Sequence, residues 1–310
     1  MKSFKKVAVC SRSFSKNQIL RNEVLENFEY VKFNDEGKNL KGDDLVNFLS
    51  DADYAITALE EIDDYVISRL PKLQLISKYG VGLDMIDKNS LEKHNVKLSW
   101  VGGVNKRAVS ELVLSFILSI LRNTFNVNLQ LKNGIWEQKV GSNLSGKVVG
   151  IIGCGNVGKD LITILKPFNC KILVYDIVKY DEFYSQNDVF SVELDVLLAE
   201  SDIVSVHVPL TPLTKYIIND DNILLMKKTA ILINTSRGGV VSEESVLKSL
   251  NNNNLFAAGF DVFENEPNVN LELLNSPGFY ATSHIGGSSI EAILAMGRAA
   301  IEGLIIESKN

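Results

Sequence analysis

Val148-Val-Gly-Ile-Ile-Gly153-Cys-Gly155-Asn-Val-Gly158 is the stretch that decides the fold. A β-branched apolar run ends in a Gly-x-Gly-x-x-Gly turn, and Lys159–Pro167 continues with helical apolar spacing at Leu161, Ile162, Ile164 and Leu165. A strand, a tight turn and a helix N-terminus in that order form a phosphate-binding unit. The first glycine permits the turn, the second lets backbone approach a pyrophosphate, and the third lets helix and strand pack closely. Asn156 and Val157 complete the turn. A second β-like run, Lys171-Ile-Leu-Val-Tyr-Asp176, ends in a carboxylate 18 residues on (158 to 176). That is near the distance of about 20 at which a ribose-binding acid is expected. The pattern predicts a dinucleotide site, with Asp176 favouring NAD because a 2′-phosphate would meet its charge.

The chain has 310 residues, 45% hydrophobic and 23% charged, enough for two globular domains each with its own core. A net charge of −6 without a basic block argues against nucleic acid as a partner. Cys10, Cys154 and Cys170 show no metal-ligand spacing, and are expected to be reduced thiols of a cytoplasmic protein that holds no metal. The most apolar segment, Leu112–Leu121, is too short to span a membrane and is interrupted by serines, so no membrane role is expected.

Before the glycine turn, β-like runs at Val7–Ser11, Tyr30–Phe33, Asp53–Ala58, Leu73–Lys78 and Val96–Trp100 alternate with helix-like Phe14–Phe28, Leu40–Leu49 and Ile62–Leu70. Such alternation implies a parallel sheet, and the Lys78-Tyr79-Gly80-Val81-Gly82 turn at a strand end is a candidate site wall. Lys106–Asn123 reads as one long apolar helix capped by Asn105, and 124–146, with Trp136, as a polar arm. After the glycine turn, further runs at Asp202–Val208, Thr229–Thr235, Leu255–Phe263 and Phe279–His284 bring the strands to six, and Ser288–Glu307 closes the chain as a helix. The expected fold is α/β, two doubly wound parallel-sheet domains. A Rossmann cofactor domain (103–284) is inserted into a flavodoxin-like substrate domain (1–102 and 285–310).

Three clusters end strands in the second half. They are Asn234-Thr235-Ser236-Arg237-Gly-Gly, Asp261-Val-Phe-Glu-Asn-Glu266-Pro, and Ser283-His284-Ile-Gly286-Gly287. A guanidinium fork suits a carboxylate, and a histidine with an acid suits proton transfer.

Together with Lys78–Asp84, Gly134-Ile-Trp136, and His207-Val208-Pro209-Leu-Thr211, these motifs resemble the D-isomer-specific 2-hydroxyacid dehydrogenases, most of all the phosphoglycerate dehydrogenase branch. The intervals fit that family, 29 residues from arginine to glutamate (237 to 266) and 18 from glutamate to histidine (266 to 284). The resemblance implies that Arg237 binds the substrate carboxylate, aided by Lys78 and the backbone of Tyr79–Gly82. His284 would be the acid/base, and Glu266 would orient it and favour its charged form. Gly153, Gly155, Asn156, Val157, Gly158, Asp176, His207, Val208, Pro209, Thr235, Ser236, Asp261, Gly286 and Gly287 would line NAD.

It further implies a small 2-hydroxy or 2-oxo acid as partner. The apolar face of the Lys106–Asn123 helix and Trp136 of the arm need cover, which predicts a homodimer built on them. A non-enzymatic NAD-sensing corepressor or scaffold is the alternative. Two departures stand out. Ala55-Ile-Thr-Ala-Leu-Glu-Glu61 carries two acids where enzymes of phosphorylated substrates often place an arginine, but Lys78 matches a basic position of the phosphoglycerate enzymes, which leaves the phosphate question open. Trp100-Val-Gly-Gly replaces the commoner lead into the long helix. Ending at Asn310, the chain is expected to be a short form without a regulatory domain.

Overall fold

The computed structural model describes residues 2–309. They divide into two compact units, one of residues up to Asn105 together with those from Ser289, the other Lys106–Ser288. In the first unit β1 (Ser3–Val9), β2 (Phe28–Phe33), β3 (Tyr54–Thr57), β4 (Leu75–Lys78) and β5 (Lys97–Ser99) form one parallel sheet in the order β2-β1-β3-β4-β5. That is the flavodoxin-like order. Between the strands lie α1 (Arg12–Lys16), α2 (Gln18–Asn27), α3 (Gly42–Leu49), α4 (Asp64–Ile67) and α5 (Lys88–Lys93).

Two expectations change here. The expected helix over Phe14–Phe28 is broken, because the Asn17 side chain accepts from Ile19 and Leu20 N–H and starts a new helix. The segment Ile62–Leu70 holds only one turn of helix, begun by the Asp63 cap. The C-terminal helix Ile290–Ser308 packs Ala300, Ile301 and Leu304 against Val7, Leu20, Tyr54 and Leu75 of this unit. Ser77 Oγ donates to the Ala300 carbonyl at 2.7 Å, and the Arg298 guanidinium takes Glu23 of α2 in a fork at 2.7 and 3.0 Å.

The second unit opens with α6 (Lys106–Leu121), whose Val113, Phe116, Ile117 and Ile120 are buried, and α7 (Thr124–Lys132), which buries no side chain. The arm is thus partly helical. Then follow β6 (Val148–Ile152), α8 (Asn156–Leu165), β7 (Lys171–Tyr175), α9 (Asp181–Gln186), β8 (Val189–Ser191), α10 (Leu194–Glu200), β9 (Ile203–Val206), β10 (Ile231–Asn234), α11 (Glu243–Asn251), β11 (Ala257–Phe260), α12 (Leu271–Asn275) and β12 (Phe279–Ala281).

The sheet has seven parallel strands in the order β12-β11-β10-β9-β6-β7-β8, one more than the expected six. The extra strand, β8, is three residues at the edge, with only Val189 buried, too short for periodicity to reveal it. Alternate residues of the central strands face opposite sides. Ile152, Val204, Leu232 and Ala258 pack in one core, and Val149, Ile151, Ile203 and Ile233 in the other. Burial on both faces explains why these strands read as continuous apolar runs.

No single helix among the described residues is long and apolar enough to cross a membrane. The pair α6 and α7 passes that test together, but is bent by 64°.

Candidate active site

The strands of a parallel sheet present their carboxyl ends along one edge, and the loops there carry the candidate residues of the second unit. The glycine loop follows β6. Gly153 lies at φ +95°, where a Cβ would also be 2.9 Å from the His207 carbonyl carbon. A Cβ on Gly158 would stand 2.2 Å from the Gly153 carbonyl oxygen, so only glycine lets α8 sit this close to the loop. At Gly155 a Cβ would meet nothing within 4 Å, so the backbone there is open to approach. Helix α8 begins at Asn156, three residues earlier than its apolar spacing suggests. Its N-cap Gly155 contributes no side-chain bond, which leaves first-turn N–H groups for an outside anion.

Asp176 follows β7. Its Oδ2 accepts from Cys154 N–H at 2.6 Å and its Oδ1 from Val178 N–H at 2.8 Å, which ties the acid to the glycine loop. Thr235 follows β10 and is 9% exposed, and its buried Oγ1 has no hydrogen-bond partner among the described residues. Buried hydroxyls are ordinarily bonded, so this orphan fits a ligand group. The open glycine loop, the tethered acid and the orphan hydroxyl together fit a dinucleotide.

His207 meets the glycine loop by its backbone, while its ring turns to Ser205, Nε2 lying 2.9 Å from Oγ. Burial lowers the ring's pKa from 6.5 to about 4. Between those values the unfolded chain binds a proton that the folded protein does not, so stability falls as pH drops from 6.5 towards 4. His207→Gln is expected to remove this loss, about 2–3 kcal/mol at a pH near 4.5. Urea midpoints at neutral and acid pH measure it, and equal acid losses in wild type and variant would contradict it.

Arg237, Asp261, Glu266 and His284 follow three neighbouring strands, β10, β11 and β12. Asn234 shapes the arginine loop by accepting from Ser236 N–H and donating to the Arg237 carbonyl. One Arg237 nitrogen donates to the Ser236 carbonyl at 2.7 Å. Ser236 also donates its hydroxyl to Asn234 at 2.8 Å.

His284 Nδ1 lies 2.7 Å from Glu266 Oε2. The other carboxylate oxygen, Oε1, accepts from Phe263 N–H at 2.9 Å, so the acid is itself held. The loop between is pinned by residues that the sequence did not single out. Glu243 Oε1 accepts Glu264 N–H at 2.6 Å, Glu264 Oε1 accepts Glu243 N–H at 3.3 Å, and Tyr216 Oη donates to Glu264 Oε2 at 3.1 Å. Burial raises the Glu243 carboxyl's pKa, and the neighbouring Glu264 and Glu266 add to the rise. No local pattern signals this clamp, because its members lie on two loops and the first turn of α11, far apart in sequence.

Asp261 is 1% exposed, and both its oxygens accept from the histidine loop. Oδ1 takes Thr282 Oγ1 at 2.5 Å and Ile285 N–H at 2.7 Å, and Oδ2 takes Gly286 N–H at 2.7 Å. Its carboxylate thereby shapes the turn that holds His284 at φ +56°. Left-handed backbone at a residue other than glycine is costly and persists where its surroundings enforce it.

In the first unit, the loop after β3 and the end of β4 bring acid and base together. Lys78 is 6% exposed and its ammonium bonds the Ala58 carbonyl, while Glu60, 8% exposed, accepts Ala58 N–H at 2.6 Å. The turn from Tyr79 to Gly82 follows.

Residues 114–286 match the model of the D-isomer specific 2-hydroxyacid dehydrogenase NAD binding domain. The chain belongs to this family. It is an NAD-dependent oxidoreductase acting on CH–OH donors. It is 33% identical to the hydroxypyruvate reductase of Thermotoga maritima over 291 residues, 92% of this chain and 94% of that one. It is 36% identical to the glyoxylate reductase of Thermofilum pendens over 278 residues, 86% and 82% of the two chains. The D-3-phosphoglycerate dehydrogenase of Methanocaldococcus jannaschii is 31% identical, and this chain spans 55% of its length. The structure of Rhodotorula graminis D-mandelate dehydrogenase superposes with a TM-score of 0.86 at 27% identity, over 97% of this chain and 93% of that one.

Proposed function

We propose that this dehydrogenase reduces a short, unphosphorylated 2-oxo acid of the glyoxylate or hydroxypyruvate kind to its 2-hydroxy acid. The observation that carries the chemistry is the 2.7 Å pair of His284 and Glu266, set on the strand edge that also bears Arg237. Nicotinamide, when bound, supplies the hydride. With Nδ1 on Glu266, the imidazolium donates its Nε2 proton to the carbonyl oxygen as that oxygen gains charge. Glu266 balances the imidazolium, and Arg237 takes the substrate carboxylate and polarises the carbonyl. The first unit's glycine turn offers further N–H groups to a carboxylate. Glycine-loop N–H groups take the pyrophosphate, and Asp176 takes ribose hydroxyls.

Two observations favour an unphosphorylated substrate. Glu60 places a buried carboxylate in the loop after β3, and the Lys78 ammonium is buried on the Ala58 carbonyl. A phosphate there would meet negative charge. Relatives with substantial identity are named as glyoxylate and hydroxypyruvate reductases, which agrees.

A panel of glyoxylate, hydroxypyruvate, pyruvate and 3-phosphohydroxypyruvate, each with NADH and NADPH, tests this reading. The highest kcat/KM is expected for an unphosphorylated acid with NADH. Highest efficiency with 3-phosphohydroxypyruvate, or with NADPH, would contradict it.

We also assign a second copy of the chain to the arm, where Leu129, Ile135, Trp136 and Val140 are exposed, Trp136 at 81%. The three cysteines are free thiols, two of them buried, which supports placing the protein in the reducing cytoplasm.

A further inference from the structure

We propose that Trp100 is a positioning residue that aims the Gly82 N–H of the glycine turn at the substrate carboxylate. The proposal rests on the reading that this turn receives a 2-oxo acid. Its geometry lies wholly within the first unit.

The turn leaves β4 after Lys78. Its first residue is anchored, since Tyr79 N–H donates to the Thr57 carbonyl at 2.8 Å and the Tyr79 ring meets Phe14 edge-on at 5.5 Å. Gly80 then takes φ +120°, outside the range of other residues, and turns the chain away from the sheet. From there the turn is tied to the end of β5. Trp100 Nε1 donates to the Val81 carbonyl at 3.0 Å.

Trp100 can do this because of register. Strand β5 runs parallel to β4, with Ile76 opposite Leu98 and Ser77 opposite Ser99. The residue after β5 therefore emerges beside the turn that follows β4. Indole N–H is a donor only, so the polar group it can fix is a carbonyl.

Peptide planarity carries the consequence. The Val81 C=O and the Gly82 N–H belong to one trans peptide and point in opposite directions. Fixing the oxygen on the indole fixes the N–H on the other side. Among the described residues, none of the N–H groups of Gly80, Val81 and Gly82 meets an acceptor, and all three residues are half-buried. A group of neighbouring donors without acceptors is suited to an anion. Without the indole contact the Val81–Gly82 peptide is free to rotate, and the substrate must order it on binding.

Trp100→Phe keeps an aromatic ring and deletes the donor. Loss of one hydrogen bond of about 0.5–1.5 kcal/mol corresponds to a rise of about 2- to 12-fold in KM for the 2-oxo acid. The inhibition constant of oxamate, a non-reducible 2-oxo acid mimic, should rise by the same factor. kcat should stay within about twofold, because proton transfer resides on His284, and NADH affinity should not change. Unchanged KM and oxamate inhibition in Trp100→Phe would overturn the role of Trp100 while leaving the activity intact. A fall in kcat alone, or weaker NADH binding, would overturn it too by showing a merely structural part. A wild-type enzyme that turns over no 2-oxo acid would overturn both this role and the reading on which it rests.

Discussion

Replacing His284 with alanine is expected to lower kcat by about 10²–10⁴-fold, the range for a lost general acid. The ring is placed for one task. Its Nδ1 is committed to Glu266 at 2.7 Å, and Glu266 is anchored by Phe263 N–H, so the remaining nitrogen has a defined direction. NADH affinity should barely change, since the glycine loop and Asp176 lie on other strands. Fluorescence titration of NADH, set beside steady-state kinetics, separates the two effects. Glu266→Gln sharpens the test. An amide can keep a hydrogen bond to the ring but does not balance an imidazolium. Reduction needs a proton delivered from the ring, so kcat should fall in this variant while NADH affinity holds. A wild-type kcat would leave Glu266 as a structural acid only.

Much of this site can be read from the chain, and the reason is local. The glycine turn, the acid after the second strand and the motif ends at Arg237, Glu266 and His284 each follow an apolar run. In a parallel sheet the end of such a run is also the edge that binds ligands, so position in sequence and position in the fold coincide. What sequence does not disclose are contacts between loops. Nothing near Asp261 says that its carboxylate closes on Thr282, Ile285 and Gly286, 21 to 25 residues further on. Nothing near Glu243 says that it receives Glu264 N–H. The edge strand β8 and the break in the helix at Asn17 escape for a different reason. One is too short for a period to develop, and at the other a side-chain cap outweighs continuous helical spacing.

Asp261→Asn is expected to lower kcat by about 10- to 100-fold, although the side chain need not touch substrate. A buried carboxylate here accepts three bonds and donates none. An asparagine of the same shape best keeps its oxygen at the Oδ1 position, where Thr282 and Ile285 donate. Its NH₂ then faces Gly286 N–H, donor against donor. One bond is lost and two buried donors, the amide NH₂ and the Gly286 N–H, are left unsatisfied, each costing about 1–3 kcal/mol. The cheapest relief is for the chain at 285–286 to move away, and His284 is the residue just before it. Its left-handed backbone at φ +56° is sustained by those same bonds, so the imidazole shifts as they loosen. A displacement of about 1 Å in a reacting group can cost about 10²-fold in rate. Kinetics and urea unfolding of the variant measure both consequences. Lowered stability with wild-type kcat would show that the turn holds His284 in place without Asp261. Lowered stability with a fall in kcat, and oxamate inhibition close to that of the wild type, would place the loss in the aim of the proton donor.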